Sequence, residues 1–360
     1  MSVSLDDFIL DFTLTLAPAP SADAAFVPLM IDSGTTFTGD DHIRRYLSGD
    51  DARNDDDLST FAENAVVDAF RQQSTPDEVW IAESIEPGAE DTLNEYELAL
   101  EQLDNERFIS FACIDSRVPG DQTSFANFCG ERRIAAVLQV NDAEVFDDHA
   151  GDPPPTYSDI ETEFAIPVFS DQDDEAEEFK TLARVLAADP DETSRTFQTQ
   201  LRHTEDYTID LEGPDVANAL DNGVNVIGEF MQFPAVLHPG QAFDGRQADE
   251  LLAVIWFNQR YKERLADLWA TYDRLDEKIP VDETGQEAVI SEGRSLFEDG
   301  VDAGHFADGQ FMSETPDISS DDRADGRIPV VITLQTETGA VTFSPDIIFT
   351  RDPIFDGDEE

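Results

Sequence analysis

The chain has 360 residues, 40% of them hydrophobic, which is enough to bury one large core or two and too many for a disordered acidic tail. Its 80 acidic against 22 basic residues give a net charge of −58, and only Lys180, Lys262 and Lys278 are lysines. That balance excludes direct nucleic-acid binding, which needs basic patches to displace counterions, and the pairs Arg44-Arg45 and Arg132-Arg133 stand isolated.

The first element is extended. Phe8, Leu10, Phe12, Leu14 and Leu16 alternate with Ile9, Asp11, Thr13 and Thr15, a period of two with one apolar face. Asp6 and Asp7 precede this run where a signal peptide would carry basic residues, so no leader is expected. After Ala17-Pro18-Ala19-Pro20, residues 26–31 read as the first core strand. The 3.6-residue spacing of Phe61, Ala65, Val66, Ala69 and Phe70 predicts a helix over 58–73. Strands follow at 79–82, 108–114, 134–140 and 164–169, with helices at 92–103, 123–133 and 175–188. Strands alternating with helices predict an α/β layer whose sheet is largely parallel.

The second half reads differently. Residues 216–227 are moderately apolar. Residues 247–275 form the longest helical stretch, stopped by Lys278-Ile279-Pro280 because proline bars continuation. Another helix is expected over 284–297, before breaks at Gly300, Gly304 and Gly309. At the end Val330, Ile332 and Leu334 alternate with Val331, Thr333 and Gln335, and Glu337-Thr338-Gly339 turns the chain into Val341, Phe343, Ile347 and Phe349. A strand at each extremity is free to pair outside its own core, since unpaired edges recruit other chains.

Chemistry leaves little trace. Glu83-Ser84 and Asp115-Ser116 follow predicted strands, where α/β sheets usually bind ligands, but neither GxGxxG nor a P-loop is present. There is no GxSxG, HExxH or CxxC. Cys113 sits in an apolar run and reads as a small buried hydrophobe; a disulfide to Cys129 has no support in the sequence. Trp256, Tyr261, Trp269 and Tyr272 are spaced for a helix packed on both sides. The acid runs Asp40-Asp41, Asp55-Asp56-Asp57 and Asp171 to Glu178 read as solvated surface. No apolar run approaches the length of a membrane span. No catalytic residue, cofactor or metal ligand is assigned. The competing reading is a halophilic α/β enzyme, a metal-dependent hydrolase using Asp147, Asp148 and His149, with its terminal strands folded onto its own sheet.

One stretch resembles a known family. Phe243-Asp244-Gly245 and Asp249 lead to Ile255-Trp256-Phe257 and Arg260. Then come Lys278-Ile279-Pro280, a polar step to Gly285, Ala288-Val289-Ile290, Gly300-Val301 and Gly304. This order is similar to the C-terminal part of contractile-tail sheath proteins of tailed viruses and related injection machines. Where that family often has Tyr-Thr-Asp after Lys-Ile-Pro, this chain has Val281-Asp282-Glu283-Thr284.

The resemblance implies a homo-oligomeric sheath subunit, in many copies, wrapped helically around a tail tube protein, with baseplate and tail terminator proteins as further partners. It implies no direct contact with nucleic acid and no membrane insertion. It implies inter-subunit strand arms carried by Phe8, Leu10, Phe12, Leu14, Val330, Ile332, Val341 and Phe343. The expected organisation is a strand arm over 1–22, an α/β domain over 23–212, a helical sheath-like domain over 213–327 and a C-terminal arm or hairpin over 328–360. The acid excess fits near-saturating salt, where the Debye length shrinks to about 3 Å. A haloarchaeal virus tail, made in host cytoplasm at high salt, is the expected setting.

Overall fold

Five runs of four to six residues, Leu29–Asp32, Val79–Glu83, Phe111–Ile114, Ala135–Val140 and Ala165–Phe169, carry almost no exposed position. Such strands lack a polar face and need helices on both sides, the condition of a parallel sheet. The computed structural model describes residues 9–10, 26–39, 42–88, 91–106, 109–149, 151–202, 214–230, 233–275, 277–306, 311–335, 340–343 and 346–348.

In chain order the elements are β1 (Ile9–Leu10), β2 (Leu29–Asp32), β3 (Ile43–Tyr46), α1 (Gly49–Arg53), α2 (Thr60–Ala69), β4 (Val79–Glu83), α3 (Glu95–Glu106), β5 (Phe111–Ile114) and α4 (Pro119–Arg132). Then come β6 (Ala135–Val140), β7 (Ala165–Phe169), α5 (Glu177–Val185), α6 (Pro214–Asp221), β8 (Asn225–Phe230), β9 (Phe233–His238) and α7 (Ala248–Arg274). The rest are α8 (Glu283–Ala303), β10 (Phe311–Glu314), α9 (Ser320–Asp325), β11 (Arg327–Pro329), β12 (Val331–Gln335), β13 (Ala340–Phe343) and β14 (Asp346–Ile348). They fall into two compact units. The α/β unit takes Asp23–Pro190 and Ser194–Leu252; the second takes Met1–Ala22, Asp191–Thr193 and Ala253–Glu360.

The α/β unit is built on one eight-stranded sheet, ordered β3-β4-β2-β5-β6-β7-β8-β9. Strands β4, β2, β5, β6, β7 and β8 run parallel, and the antiparallel β3 and β9 close the two edges. The largely parallel α/β body expected from the sequence is therefore present. Its extent differs from the expected boundary at 212. Strands β8 and β9 continue the same sheet, so residues 214–252 join the α/β unit. Buried Asn225 fastens this extension: its amide donates to Pro167 O and Gln241 O, and its carbonyl oxygen accepts from the backbone N–H groups of Gly240 and Gln241, all at 2.6–2.8 Å. One side chain thus satisfies four buried partners that an apolar residue would orphan.

Two acid runs depart from the expected solvated surface. Asp55 and Asp57 hold Arg44 at 2.8 and 2.7 Å. More strongly, the run ending at Glu178 turns inward, because α5 buries Glu177, Glu178 and Lys180 beneath its apolar face. Arg117 pairs with Glu178 at 3.0 Å, and Lys180 pairs with Glu175 and, at 3.1 Å, with Glu177. Removing one partner of such a buried network leaves an uncompensated charge.

Burial pushes the Glu177 carboxyl up to about 8, with Lys180 pulling the other way, and burial raises Glu178 as well. The folded chain therefore binds more protons than the unfolded one between the ordinary carboxylate value and pH 8, and its stability falls as pH rises through that window. Stability against unfolding in molar salt is expected to fall between pH 5 and pH 8. The difference between the wild type and Glu177→Gln isolates the part due to this group, on the order of a few kcal/mol. A pH slope identical in both proteins would refute it.

Candidate functional site

The second unit is organised around α7 and α8. On α7, Trp256 and Tyr261 are fully buried, whereas Trp269 and Tyr272 are half-buried. Trp256 stacks on His305 with ring centres 4.6 Å apart, and Phe306 packs against Phe257 and Phe297. Tyr261 Oη donates to Val289 O at 3.0 Å and so ties α7 to α8. Asp191, far away in sequence, accepts from Trp256 Nε1 at 2.7 Å and from Arg260 Nε and Nη2 at 2.9 and 2.8 Å. That fork explains why the short segment Asp191–Thr193 belongs to this unit.

The residues of the family-like stretch have steric reasons to be what they are. A Cβ on Gly285 would lie 1.8 Å from Pro280 O, so the step after Lys278-Ile279-Pro280 tolerates only glycine there. The departing residues Val281 to Thr284 contain the N-cap of α8: Asp282 Oδ1 accepts from Thr284 N at 2.9 Å and Gly285 N at 3.2 Å. The local variation is thus a capped helix start.

Upon this base sits a four-stranded sheet, ordered β1-β13-β12-β10. In β12 the period of two is visible as burial: Val330, Ile332 and Leu334 are buried, and Val331 and Thr333 between them are half-buried. β12 pairs antiparallel with β13, placing Ile332 opposite Phe343 and Leu334 opposite Val341. On its other side β10 pairs antiparallel, Ser313 opposite Ile332. The outer edge of β13 takes β1 in parallel, and among the described residues Ile9 pairs with Thr342 and Leu10 with Phe343. Strand β14 pairs instead with β11, so Ile347 lies in a different sheet from Val341 and Phe343.

Of the eight residues proposed as strand arms, Leu10, Ile332, Val341 and Phe343 therefore meet in one sheet, and Val330 lies buried just before β12. Phe8, Phe12 and Leu14 lie outside the described residues. Strand β10 carries no alternating signal in Phe-Met-Ser-Glu and was not expected. Its one clue is Phe311, whose ring lies 5.8 Å from that of Phe297 and under the guanidinium of Arg294.

The residues considered for chemistry are placed elsewhere. His149 Nε2 lies 2.9 Å from Glu144 O, and the Asp147 N–H donates to the same carbonyl at 3.0 Å. Among the described residues no three His, Cys, Asp or Glu side chains gather as a metal would require. Beside β2, where connections leave in both directions, Thr35 donates to Asp32 at 2.6 Å and Ser33 donates twice to Asp115. Ser84 donates to Glu95 at 2.8 Å. The strand ends where α/β enzymes hold ligands thus spend these polar groups on one another. Cys113 and Cys129 are buried thiols not joined in a disulfide, and burial raises the Cys113 thiol well above its ordinary value.

No protein-family model and no curated protein matches the chain. Solved structures do. A chain of the anti-feeding prophage (AFP) baseplate is 14% identical, with 94% of this chain and 96% of that chain covered at a TM-score of 0.61. A chain of the AFP helical sheath in its contracted state is 16% identical over 94% and 98%, at 0.56. The sheath tail protein Lin1278 from Listeria innocua is 10% identical over 90% and 95%, at 0.55. The fold is that of the contractile tail sheath proteins, and the likeness runs through both units and nearly the full length of each counterpart.

Close approach of α8 to β12 holds the terminal sheet in place: a Cβ on Gly293 would stand 2.8 Å from Ile332 Cδ1 and 3.3 Å from the Tyr261 ring. Gly293→Leu is expected to displace β12 and destabilise the second unit by about 1–3 kcal/mol. Faster amide hydrogen exchange in β12, with the α/β unit unaltered, is the measurement that checks it. Unchanged protection there would contradict it.

Proposed function

We propose that the chain is a structural subunit of a contractile tail sheath, polymerising helically around a tail tube and contracting to drive that tube through a host envelope. The observation that carries this reading is the sheath fold shared across nine-tenths or more of this chain and of its counterparts. The joints of the polymer are the terminal strands: Phe8, Leu10, Phe12 and Leu14 of one copy would lie on the β13 edge of another, beside Val330, Ile332, Val341 and Phe343. Support comes from the way β1 meets β13. The described residues Ile9 and Leu10 add in parallel to an existing edge, which is the geometry of β-augmentation. A strand added at a sheet edge can be exchanged for the same strand of a neighbour, each hydrogen bond replaced by its copy.

Partners in this reading are other copies of the chain, a tail tube protein, a baseplate and a tail terminator. The setting is a virion tail or a virus-derived injection device in a salt-loving host. The acid excess supports that last element, because −58 charges per copy must be screened before many copies can pack. Contraction in this scheme is a rearrangement of bodies that stay joined by strands, and it needs no chemistry within the subunit.

Electron microscopy of the purified chain in molar salt is expected to find rings or helical tubes. Deleting residues 1–16 is expected to abolish them while far-ultraviolet circular dichroism and cooperative unfolding stay intact; a truncated chain that unfolds as a monomer would place the strand in its own core and end the exchange model. Lowering salt lengthens the screening distance from about 3 Å at 1 M to about 30 Å at 0.01 M. Assemblies are therefore expected to dissociate on dilution into millimolar salt, as read by sedimentation, and particles indifferent to that dilution would count against the electrostatic part of the proposal.

A further inference from the structure

Strand β2 lies between β4 and β5, and the chain passes from it to β4 on one side before crossing to β5 on the other. In open α/β sheets the carboxyl ends of strands at such a divergence form the crevice where ligands bind. Three acids stand there in a row. Asp32 ends β2 in register with Glu83 of β4, and Asp115 follows Ile114, which is paired with Ile31. The outer two are fully engaged. Glu83 Oε2 accepts from Phe37 N at 2.7 Å, and its Oε1 stands 2.5 Å from His42 Nδ1. Asp115 accepts from Ser33 N at 3.1 Å and from Ser33 Oγ at 2.8 Å. Asp32 is the exception. Its Oδ2 accepts from Thr35 Oγ1 at 2.6 Å, but its Oδ1 is enclosed without a hydrogen-bond partner, on a residue only 1% exposed.

A carboxylate oxygen shut away from water without a donor is costly, and more so beside a second carboxylate. Asp115 is that neighbour. Its Oδ1 bonds to Ser33 N, the backbone atom that directly follows Asp32, so the two carboxylates flank a single residue. Burial, and after it the charge of Asp115, raise the Asp32 carboxyl above its ordinary value against hydrogen bonds from Thr35 and Ser59. Ser33 and Gly34, which lead the chain out of β2, are exposed, so the crevice opens to solvent. Hard divalent cations take oxygen ligands, and magnesium is commonly held by one or two carboxylates while keeping several waters, so two acids suffice without a third. We infer that Asp32 and Asp115 hold a divalent cation of the magnesium class at the end of β2, with Thr35 and Ser33 orienting the two carboxylates and water completing the shell. The cation supplies the positive charge that Asp32 Oδ1 lacks. The site belongs to the α/β unit and does not rest on the sheath reading.

The test uses the full chain, freed of divalent ions by chelation and kept in molar sodium chloride, which screens the general attraction of its acidic surface for cations. Manganese chloride alone is the probe. Its uptake is read from the loss of the free-ion electron paramagnetic resonance signal, and magnesium chloride is then added as competitor. The wild type is expected to take up one manganese per chain saturably, to release it to magnesium, and to show a rise in thermal midpoint with either ion. Asp115→Asn is expected to weaken the uptake at least tenfold and Asp32→Asn to abolish it. Asp50→Asn, which removes an exposed acid in α1, is expected to leave it unchanged. Should Asp32→Asn fail to fold, the comparison of Asp115→Asn with Asp50→Asn decides. Uptake that never saturates, or that falls equally in Asp50→Asn and Asp115→Asn, is counterion binding by the surface and overturns the site. A wild type that takes up no manganese overturns it as well.

Discussion

A strand edge presents backbone donors and acceptors that have to be met by something, and in the second unit that demand falls on β13. One of its sides is satisfied by β12 along four residues, and the other takes β1, with Ile9 and Leu10 its described members. Most of the unit's architecture serves to hold this edge still. The buried series Val330, Ile332 and Leu334 fixes which way β12 faces, because a slip of one residue would turn those side chains outward. Gly293 lets α8 come close enough to receive Ile332, and Tyr261 ties α8 to α7 through Val289. Asp191 then pins α7 at Trp256 and Arg260.

The α/β unit solves a different problem, how to fold with an overwhelming excess of acid. Most of its basic side chains are consumed locally, as where Asp55 and Asp57 hold Arg44. Its most enclosed charges, Glu177, Glu178 and Lys180, are gathered under α5 and completed by Arg117 from the loop after β5. Buried ion pairs give up in desolvation much of what they gain in attraction, so this cluster does more to fix how α5 sits on the sheet than to add net stability.

The periodicities made much of this legible. Strands β2, β4, β5, β6 and β7, and the helices between them, followed from apolar runs and from spacing of 3.6. What escaped did so for identifiable reasons. Strand β3, Ile-Arg-Arg-Tyr, is an edge strand whose polar side faces away from the core, so its composition does not single it out. The boundary near 212 was misplaced because β8 and β9 extend a parallel sheet by an antiparallel pair, a continuation with no linker or composition change to announce it. Glu177 and Glu178 looked solvated because their partner Arg117 lies some sixty residues away. Asp191 was invisible for the same reason. The family-like stretch could be read in one dimension because its constraints are local, as with Gly285 under Pro280.

These features bear on how an assembly of such chains would be governed. When a strand is exchanged between identical copies, every hydrogen bond and every apolar contact broken in the closed chain is remade in the open one. The pairing energy of β1 on β13 then cancels, and two other terms set the balance: the effective concentration of a neighbour's arm and the repulsion between bodies. With a net charge of −58 on each body, repulsion is the larger variable, and it is the one that salt controls. A strand joint that is itself indifferent to ionic strength thereby acquires a strong dependence on it. In the proposed assembly the terminal strands would define where copies are joined, while the acidic surface would define when they can be.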